Sequence, residues 1–259
     1  MSIGAVLLDL EGVLHQDGVA LPGSVEAVAA LRVAGLGLRF LTNTTTRPRS
    51  AIATRLRAMG FAVDDGEIFT PALAARGVLI DLGVARVHLA APPVLAEDFA
   101  GFSLVETAPE AVVMGDLHTG FSWQRLDGLF GMIIDGARLV ALHKNRYCRR
   151  EGRLALDLGP FVAALEYAAE VEAEVVGKPS PAFFRLGLAS LGVEPVAAVM
   201  VGDDLVADIG GAQSAGIRAV QVETGKYDPR DRDHPRIEPD ARIPSIAALP
   251  GWIAARESG

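Results

Sequence analysis

Short, unbroken apolar runs recur along the chain, each followed by a longer stretch whose apolar positions repeat at helical spacing. Ala5–Leu8, Leu38–Leu41, Val87–Ala90, Val112–Met114, Leu139–Leu142, Glu174–Val176, Ala198–Val201 and Ala219–Val222 are predicted strands. Most of these runs are continuously apolar rather than alternating, as in strands covered on both faces. Helices are predicted over Ser24–Ala34, Ser50–Met59, Pro71–Leu82, Ser122–Ile134, Pro160–Val171, Pro181–Leu191, Val206–Ala215 and Ile246–Arg256. Ser24 reads as an N-cap, and Gly35, Gly60 and Gly83 as stops. Such alternation predicts βαβ units and an α/β fold with a Rossmann-like, doubly wound parallel sheet. Lys226–Pro239 is polar, contains Pro229, Pro235 and Pro239, and reads as a surface loop. The sequence shows no internal repeat.

Composition narrows the function classes. The chain has 259 residues, half of them hydrophobic and 22% charged, enough to bury a large core. This excludes disordered and fibrous proteins. Lys and Arg total 24 against 32 Asp and Glu, a net charge of −8. That balance argues against a nucleic-acid backbone or an anionic membrane as partner. The one cysteine, Cys148, excludes a disulfide framework and a multi-cysteine zinc site. No apolar run approaches the roughly 18 residues that span a bilayer. The first apolar stretch runs into Asp9 and Glu11, unlike a signal peptide. The expectation is a cytoplasmic protein, with homodimer formation left open.

Four polar clusters lie at predicted strand ends, where open α/β sheets bind ligands. In the first, Asp9-Leu10-Glu11-Gly12, a buried strand ends on a carboxylate. On its own, an Asp at a strand exit is ordinary. In the second, Thr42-Asn43-Thr44-Thr45-Thr46-Arg47, hydroxyls and backbone N–H groups lead into a helix and suit an anion, though a helix cap explains them as well. The third is Gly177-Lys178-Pro179-Ser180-Pro181, with a cation at a strand end. The fourth is Gly202-Asp203-Asp204-Leu205-Val206-Ala207-Asp208, with three carboxylates within six residues. Such crowding is unfavourable unless a cation neutralises it, and oxygen-only ligands suit Mg²⁺. Capping by Asp204 explains one carboxylate, not three.

Taken in order, these clusters resemble those of the haloacid dehalogenase-like (HAD) superfamily, whose members are mostly Mg²⁺-dependent phosphatases. Leu41-Thr42-Asn43-Thr44-Thr45, Val175-Val176-Gly177-Lys178-Pro179, Gly202-Asp203-Asp204 and Thr224-Gly225-Lys226-Tyr227 are similar to the NagD-type branch. The resemblance implies a phosphatase for a small phosphorylated substrate: a phosphomonoester, a phosphoramidate or pyrophosphate. It casts Asp9 as the nucleophile that forms an aspartyl-phosphate. Thr42, Asn43 and Lys178 become phosphoryl and substrate ligands, and Lys178 also a catalytic residue. Mg²⁺ is expected on Asp9, the Glu11 carbonyl and Asp203, supported by Asp204 or Asp208. Glu11 departs from the usual Asp at the second carboxylate position. It is read as either a general acid/base or a spacer presenting its carbonyl.

More chain separates the Thr42 and Lys178 clusters than a Rossmann-like core needs. The resemblance therefore implies a catalytic core of residues 1–82 and 176–259, with residues 83–175 as an inserted α/β cap that selects substrate. His143, Lys144, Arg146 and Tyr147 are candidate cap contacts, although a solvated basic turn explains them equally well. His118 is expected at the surface, Trp123 in the core, and Cys148 in a structural role. Two other readings stand beside the phosphatase. Dehalogenation through Asp9 leaves the acidic cluster without a role. An Asp-phosphorylated binding or regulatory module without efficient turnover leaves the cap segment unexplained.

Overall fold

The structure, a computed structural model, describes residues 2–150 and 153–257. In chain order the strands are β1 (Ala5–Asp9), β2 (His15–Gln16), β3 (Val19–Ala20), β4 (Gly37–Leu41), β5 (Ile68–Phe69), β6 (Arg86–Ala90), β7 (Ser103–Leu104), β8 (Ala111–Met114), β9 (Arg138–Ala141), β10 (Tyr147–Arg150), β11 (Arg153–Leu156), β12 (Glu174–Val175), β13 (Ala198–Gly202), β14 (Arg218–Val222) and β15 (Ala241–Ile243). The helices are α1 (Ser24–Val33), α2 (Arg49–Ala58), α3 (Pro71–Asp81), α4 (Trp123–Ile134), α5 (Leu158–Ala169), α6 (Pro181–Ala189), α7 (Gly211–Ser214) and α8 (Leu249–Glu257). None is long and apolar enough to cross a membrane.

The chain divides into two compact units. One comprises Met1–Thr42, Arg49–Phe69 and Lys178–Gly259; the other comprises Asn43–Pro48 and Thr70–Gly177. In the first, six strands form a sheet in the order β15-β14-β13-β1-β4-β5, every pairing parallel. Every residue of β1 and β13 is buried, which accounts for their unbroken apolar sequences. Val6, Leu8, Phe40, Leu56, Val199 and Val201 belong to the core on one side of this sheet. From β1 the chain builds outward to β4 and β5, then returns to add β13, β14 and β15 on β1's other side. Open α/β sheets bind ligands beyond the carboxyl ends of the strands at such a reversal, here β1 and β13.

The second unit has its own parallel sheet, in the order β12-β9-β8-β6-β7, and a separate β10–β11 hairpin. Its core includes Met114, Leu129, Ile133, Val162 and Leu165. The helix α3 belongs to this unit, beyond the boundary at residue 82 expected from the sequence. Arg76 of α3 donates to the carbonyls of Asp98 and Ala100 at 2.9 and 2.7 Å, tying the helix to the loop after β6.

Three local expectations change. Gly23, at φ 74°, is the N-cap of α1; Ser24 is inside the helix and its hydroxyl donates to the Leu21 carbonyl at 2.7 Å. The helix predicted over 206–215 divides into a π-helical turn, Leu205–Gly210, and the short α7. Trp123 is 72% exposed rather than core, because it opens α4 while the buried stripe runs through Leu129 and Ile133.

Candidate active site

Asp9, Asp203 and Asp208 converge at the carboxyl edge of the first unit's sheet. One carboxylate oxygen from each lies within 4.8 Å of the others, and all three residues are buried. Register explains the first two: Leu8 pairs with Val201 across β1 and β13, which sets Asp9 level with Gly202 and one residue short of Asp203. Asp208 arrives by the π-helical turn, where the N–H groups of Asp208 and Ile209 both donate to the Asp204 carbonyl, at 2.9 and 3.3 Å. Such wide turns recur at functional sites. Gly202 makes room for it, since a Cβ there would overlap the Asp208 side chain.

Lys178 joins them from the segment before α6. Its Nζ lies 2.5 Å from Asp9 Oδ1 and 2.6 Å from Asp208 Oδ1, with the residue 3% exposed. Burial alone would lower the lysine's pKa, but Asp208 and Asp9 outweigh it and the pKa is raised. Three carboxylates beside one ammonium carry excess negative charge when all are ionised, and Lys226, which also acts on Asp203, offsets it only in part. Burial, then Asp9 and Asp208, push Asp203 up to about 8. Burial and Asp9 push Asp208 up to about 7, against the pull of Lys178.

Asp203 is held tightly. Its Oδ2 accepts the Lys226 N–H at 2.6 Å, while its Oδ1 is buried without a hydrogen-bond partner. A buried unbonded carboxylate oxygen is costly unless a cation or water satisfies it. Gly12 and Gly225, both at positive φ, approach this side chain so closely that a Cβ on either would overlap Asp203 Oδ2. The charge deficit, the oxygen-only donors and the unbonded Oδ1 fit a hard divalent cation.

The other predicted site residues lie as follows. Asp204 stands outside the three-carboxylate group: its Oδ1 caps the π-helical turn, accepting from Val206 N and Ala207 N at 3.1 and 2.9 Å, and its Oδ2 pairs with Lys226 Nζ at 3.2 Å. Glu11 turns its carboxylate into its own loop. It accepts from Asp17 N at 2.7 Å and Gln16 Nε2 at 3.2 Å, and lies 2.9 Å from His15 Nδ1. Burial would raise its pKa, but the His15 and Asp17 bonds outweigh burial and hold it below the usual carboxylate range. Thr42 is buried directly after β4, whose Leu41 pairs with Asp9. Asn43 belongs to the second unit, where its Oδ1 faces Gly177.

In the second unit His143 is 3% exposed. Its Nδ1 accepts the Asn145 N–H at 3.3 Å, and its Nε2 lies 3.7 Å from Asp157 Oδ1, so it is a buried residue of that unit rather than part of a solvated turn. Lys144 pairs with Glu166 at 2.6 Å, Arg146 and Tyr147 are exposed, and Cys148 is half-buried. His118 is exposed on its side chain, as expected. The Thr224-Gly225-Lys226 segment against Asp203 was not assigned a role from the sequence. Its contacts run through a backbone N–H and glycine Cα atoms, which no residue type announces.

A family model described as haloacid dehalogenase-like hydrolase matches residues 6–103, and a HAD-hydrolase-like model matches residues 175–249. The chain belongs to the haloacid dehalogenase-like hydrolase family and is an enzyme of the HAD phosphatase type. It is 42% identical over 252 residues to the phospholysine phosphohistidine inorganic pyrophosphate phosphatase of Bos taurus, covering 95% of this chain and 92% of that one. Among solved structures, NagD from E. coli K-12 aligns with a TM-score of 0.87 at 27% identity, over 95% of this chain and 98% of that one. Glycerol phosphate phosphatase from Mycobacterium tuberculosis, in complex with magnesium, aligns with a TM-score of 0.86 at 28% identity, over 96% and 76% of the respective chains.

Proposed function

We propose that this protein hydrolyses a small phosphorylated substrate through an aspartyl-phosphate on Asp9, with Mg²⁺ held by Asp9, Asp203, Asp208 and the backbone carbonyl of Glu11. The observation that carries the reading is the unbonded, buried Oδ1 of Asp203 beside two further carboxylates and one lysine. A bound Mg²⁺ would offset the repulsion between an anionic nucleophile and an anionic phosphate.

The chain's own groups divide the remaining work. An Asp9 carboxylate oxygen attacks phosphorus as the bond to the leaving oxygen or nitrogen breaks. The leaving group takes a proton from solvent; water then attacks the same phosphorus and gives a proton to solvent, the Asp9–phosphoryl bond breaks, inorganic phosphate leaves and the carboxylate is restored. Lys178 holds Asp9 in place through its ion pair and offers its charge to the phosphoryl oxygens. The Thr42 hydroxyl and the Asn43 side chain bind the phosphoryl group or substrate, and Asp208 anchors Lys178. Asp204 caps the turn that carries Asp208. Glu11 acts through its carbonyl and braces its loop with its side chain, which leaves its carboxylate out of proton transfer.

Phosphomonoesters, phosphoramidates and pyrophosphate are the substrate classes, the last two supported by the name of the bovine relative. Residues 83–175 select among them, with Lys144, Arg146 and Tyr147 as the exposed candidates. The test is phosphate release with Mg²⁺ and after chelation, with acid-quenched protein digested and weighed. The reading requires a metal-dependent rate and one phosphoryl group on the Asp9 peptide. A phosphorylated peptide elsewhere, or a rate indifferent to chelation, refutes it.

A further inference from the structure

We infer that the segment Thr224–Gly225–Lys226, directly after β14, is a clamp that positions Asp203 and thereby sets the affinity for the divalent cation; this rests on the metal reading above. Three contacts from consecutive residues meet at one carboxylate and its neighbouring loop. The Lys226 N–H donates to Asp203 Oδ2 at 2.6 Å. The Thr224 hydroxyl donates to the Gly12 carbonyl at 2.5 Å. Gly225 and Gly12 press on Asp203 together, and a Cβ on Gly225 would overlap both Asp203 Oδ2 and the Gly12 Cα position. The Lys226 side chain adds an ion pair with Asp204, the cap of the turn that delivers Asp208.

The consequence is a division of labour between the two oxygens of Asp203. An isolated Asp carboxylate rotates about two torsions and presents either oxygen. Here Oδ2 is tied to an amide, and the absence of a Cβ at Gly12 and Gly225 is what lets that oxygen sit against both backbones. Oδ1 is thereby the oxygen kept free of protein partners, within the group of carboxylates. Thr224 also fixes the Gly12 carbonyl, one residue beyond Glu11, so a single hydroxyl steadies the loop that presents the Glu11 carbonyl. Groups that orient metal ligands in this way typically change metal affinity by about 10–100-fold when removed.

Thr224→Val keeps the shape of the side chain and removes its hydroxyl, whereas Thr224→Ser keeps the donor. Isothermal titration of the full chain with Mg²⁺ alone should show Thr224→Val binding about tenfold more weakly, with Thr224→Ser close to wild type. Melting with and without Mg²⁺ separates positioning from mere packing. The clamp predicts a smaller Mg²⁺-induced rise in Tm for Thr224→Val, whereas a packing role lowers Tm equally in both conditions and counts against the clamp. Should Thr224→Val not fold, Thr224→Ala and Gly225→Ala are titrated in the same way, and wild-type affinity in a folded variant overturns the inference. Wild type that takes up no Mg²⁺ overturns the metal reading and the clamp with it. Wild type that binds Mg²⁺ beside a Thr224→Val that binds it equally overturns the clamp alone.

Discussion

Lys178 Nζ bonds to Asp9 Oδ1 at 2.5 Å, so the proposed nucleophile is already engaged by a buried cation before any substrate arrives. The pairing holds that oxygen of the carboxylate in place, and the second oxygen takes no part in it.

Asp9→Asn keeps the size of the side chain and removes its nucleophilic charge. Turnover should fall by about 10³-fold or more, the scale on which removal of a covalent nucleophile acts. Melting should show that the variant is folded. Steady-state kinetics with p-nitrophenyl phosphate decide it, and a rate within about tenfold of wild type is incompatible with the covalent route.

Lys178→Met should cost both activity and stability. It leaves the buried Asp9 and Asp208 without their shared cation, and breaking a buried ion pair from one side costs about 3–5 kcal/mol. Chemical denaturation of metal-free protein measures this loss. A stability equal to wild type would mean that the ion pairs of Lys178 count for little.

Without metal, stability should fall as pH rises. Asp203 and Asp208 are raised to about 8 and about 7 in the folded protein, from an ordinary value of 3.8. Below pH 4 both groups are protonated in either state. As pH climbs, the unfolded chain ionises first and is favoured, so their contribution to stability is lost between about pH 4 and about pH 8. Melting of chelated, dialysed protein across this range should show the decline. Mg²⁺ should restore most at the alkaline end, where it no longer competes with protons. Asp203→Asn should flatten the profile; an unchanged slope would show that Asp203 does not titrate there.

Glu11→Gln tests the loop-brace role. A general acid contributes about 10²–10⁴-fold, most when the leaving group is a poor one. Because the Glu11 carboxylate is bonded to Asp17 N and Gln16 and held anionic, the variant should lose less than about tenfold in kcat/KM, and similarly on an alkyl phosphate and on p-nitrophenyl phosphate. A loss confined to the alkyl phosphate would return Glu11 to acid catalysis.

The strands that carry the site were legible because β1, β13 and β14 each bury four or five residues in a row and β4 carries the apolar Leu38, Phe40 and Leu41, all buried, and such runs stand out from any helical pattern. Ile68–Phe69 and Ala241–Ile243 were not, since two or three residues at a sheet edge carry no period. The helix α3 lies where the periodicity puts it but groups with the second unit, whereas the sequence expectation places it with the core, because periodicity reports that a helix has an apolar face and not which sheet receives it. Within the site, Asp9, Lys178, Asp203 and Asp208 could be read from residue type and strand end. Asp204 could be read as a cap, as its bonds to Val206 N and Ala207 N bear out, but not as standing outside the group that Asp208 joins. The orientation of Glu11 toward Asp17 depends on the path of its loop, which no spacing encodes.

The central strand of the first unit's sheet has its two neighbours from opposite ends of the chain, β4 beginning at residue 37 and β13 at residue 198. On the ribosome, therefore, β1 and β4 can pair early, while the other edge of β1 waits until the whole of the second unit has been made. Throughout that interval Ala5, Val6, Leu7 and Leu8 present an unpaired apolar edge, the kind of surface that recruits other strands. A chain released before Ala198 retains that edge permanently. Premature termination ahead of β13 should therefore yield an aggregation-prone fragment rather than an inert one, because the strand that covers this edge begins at Ala198.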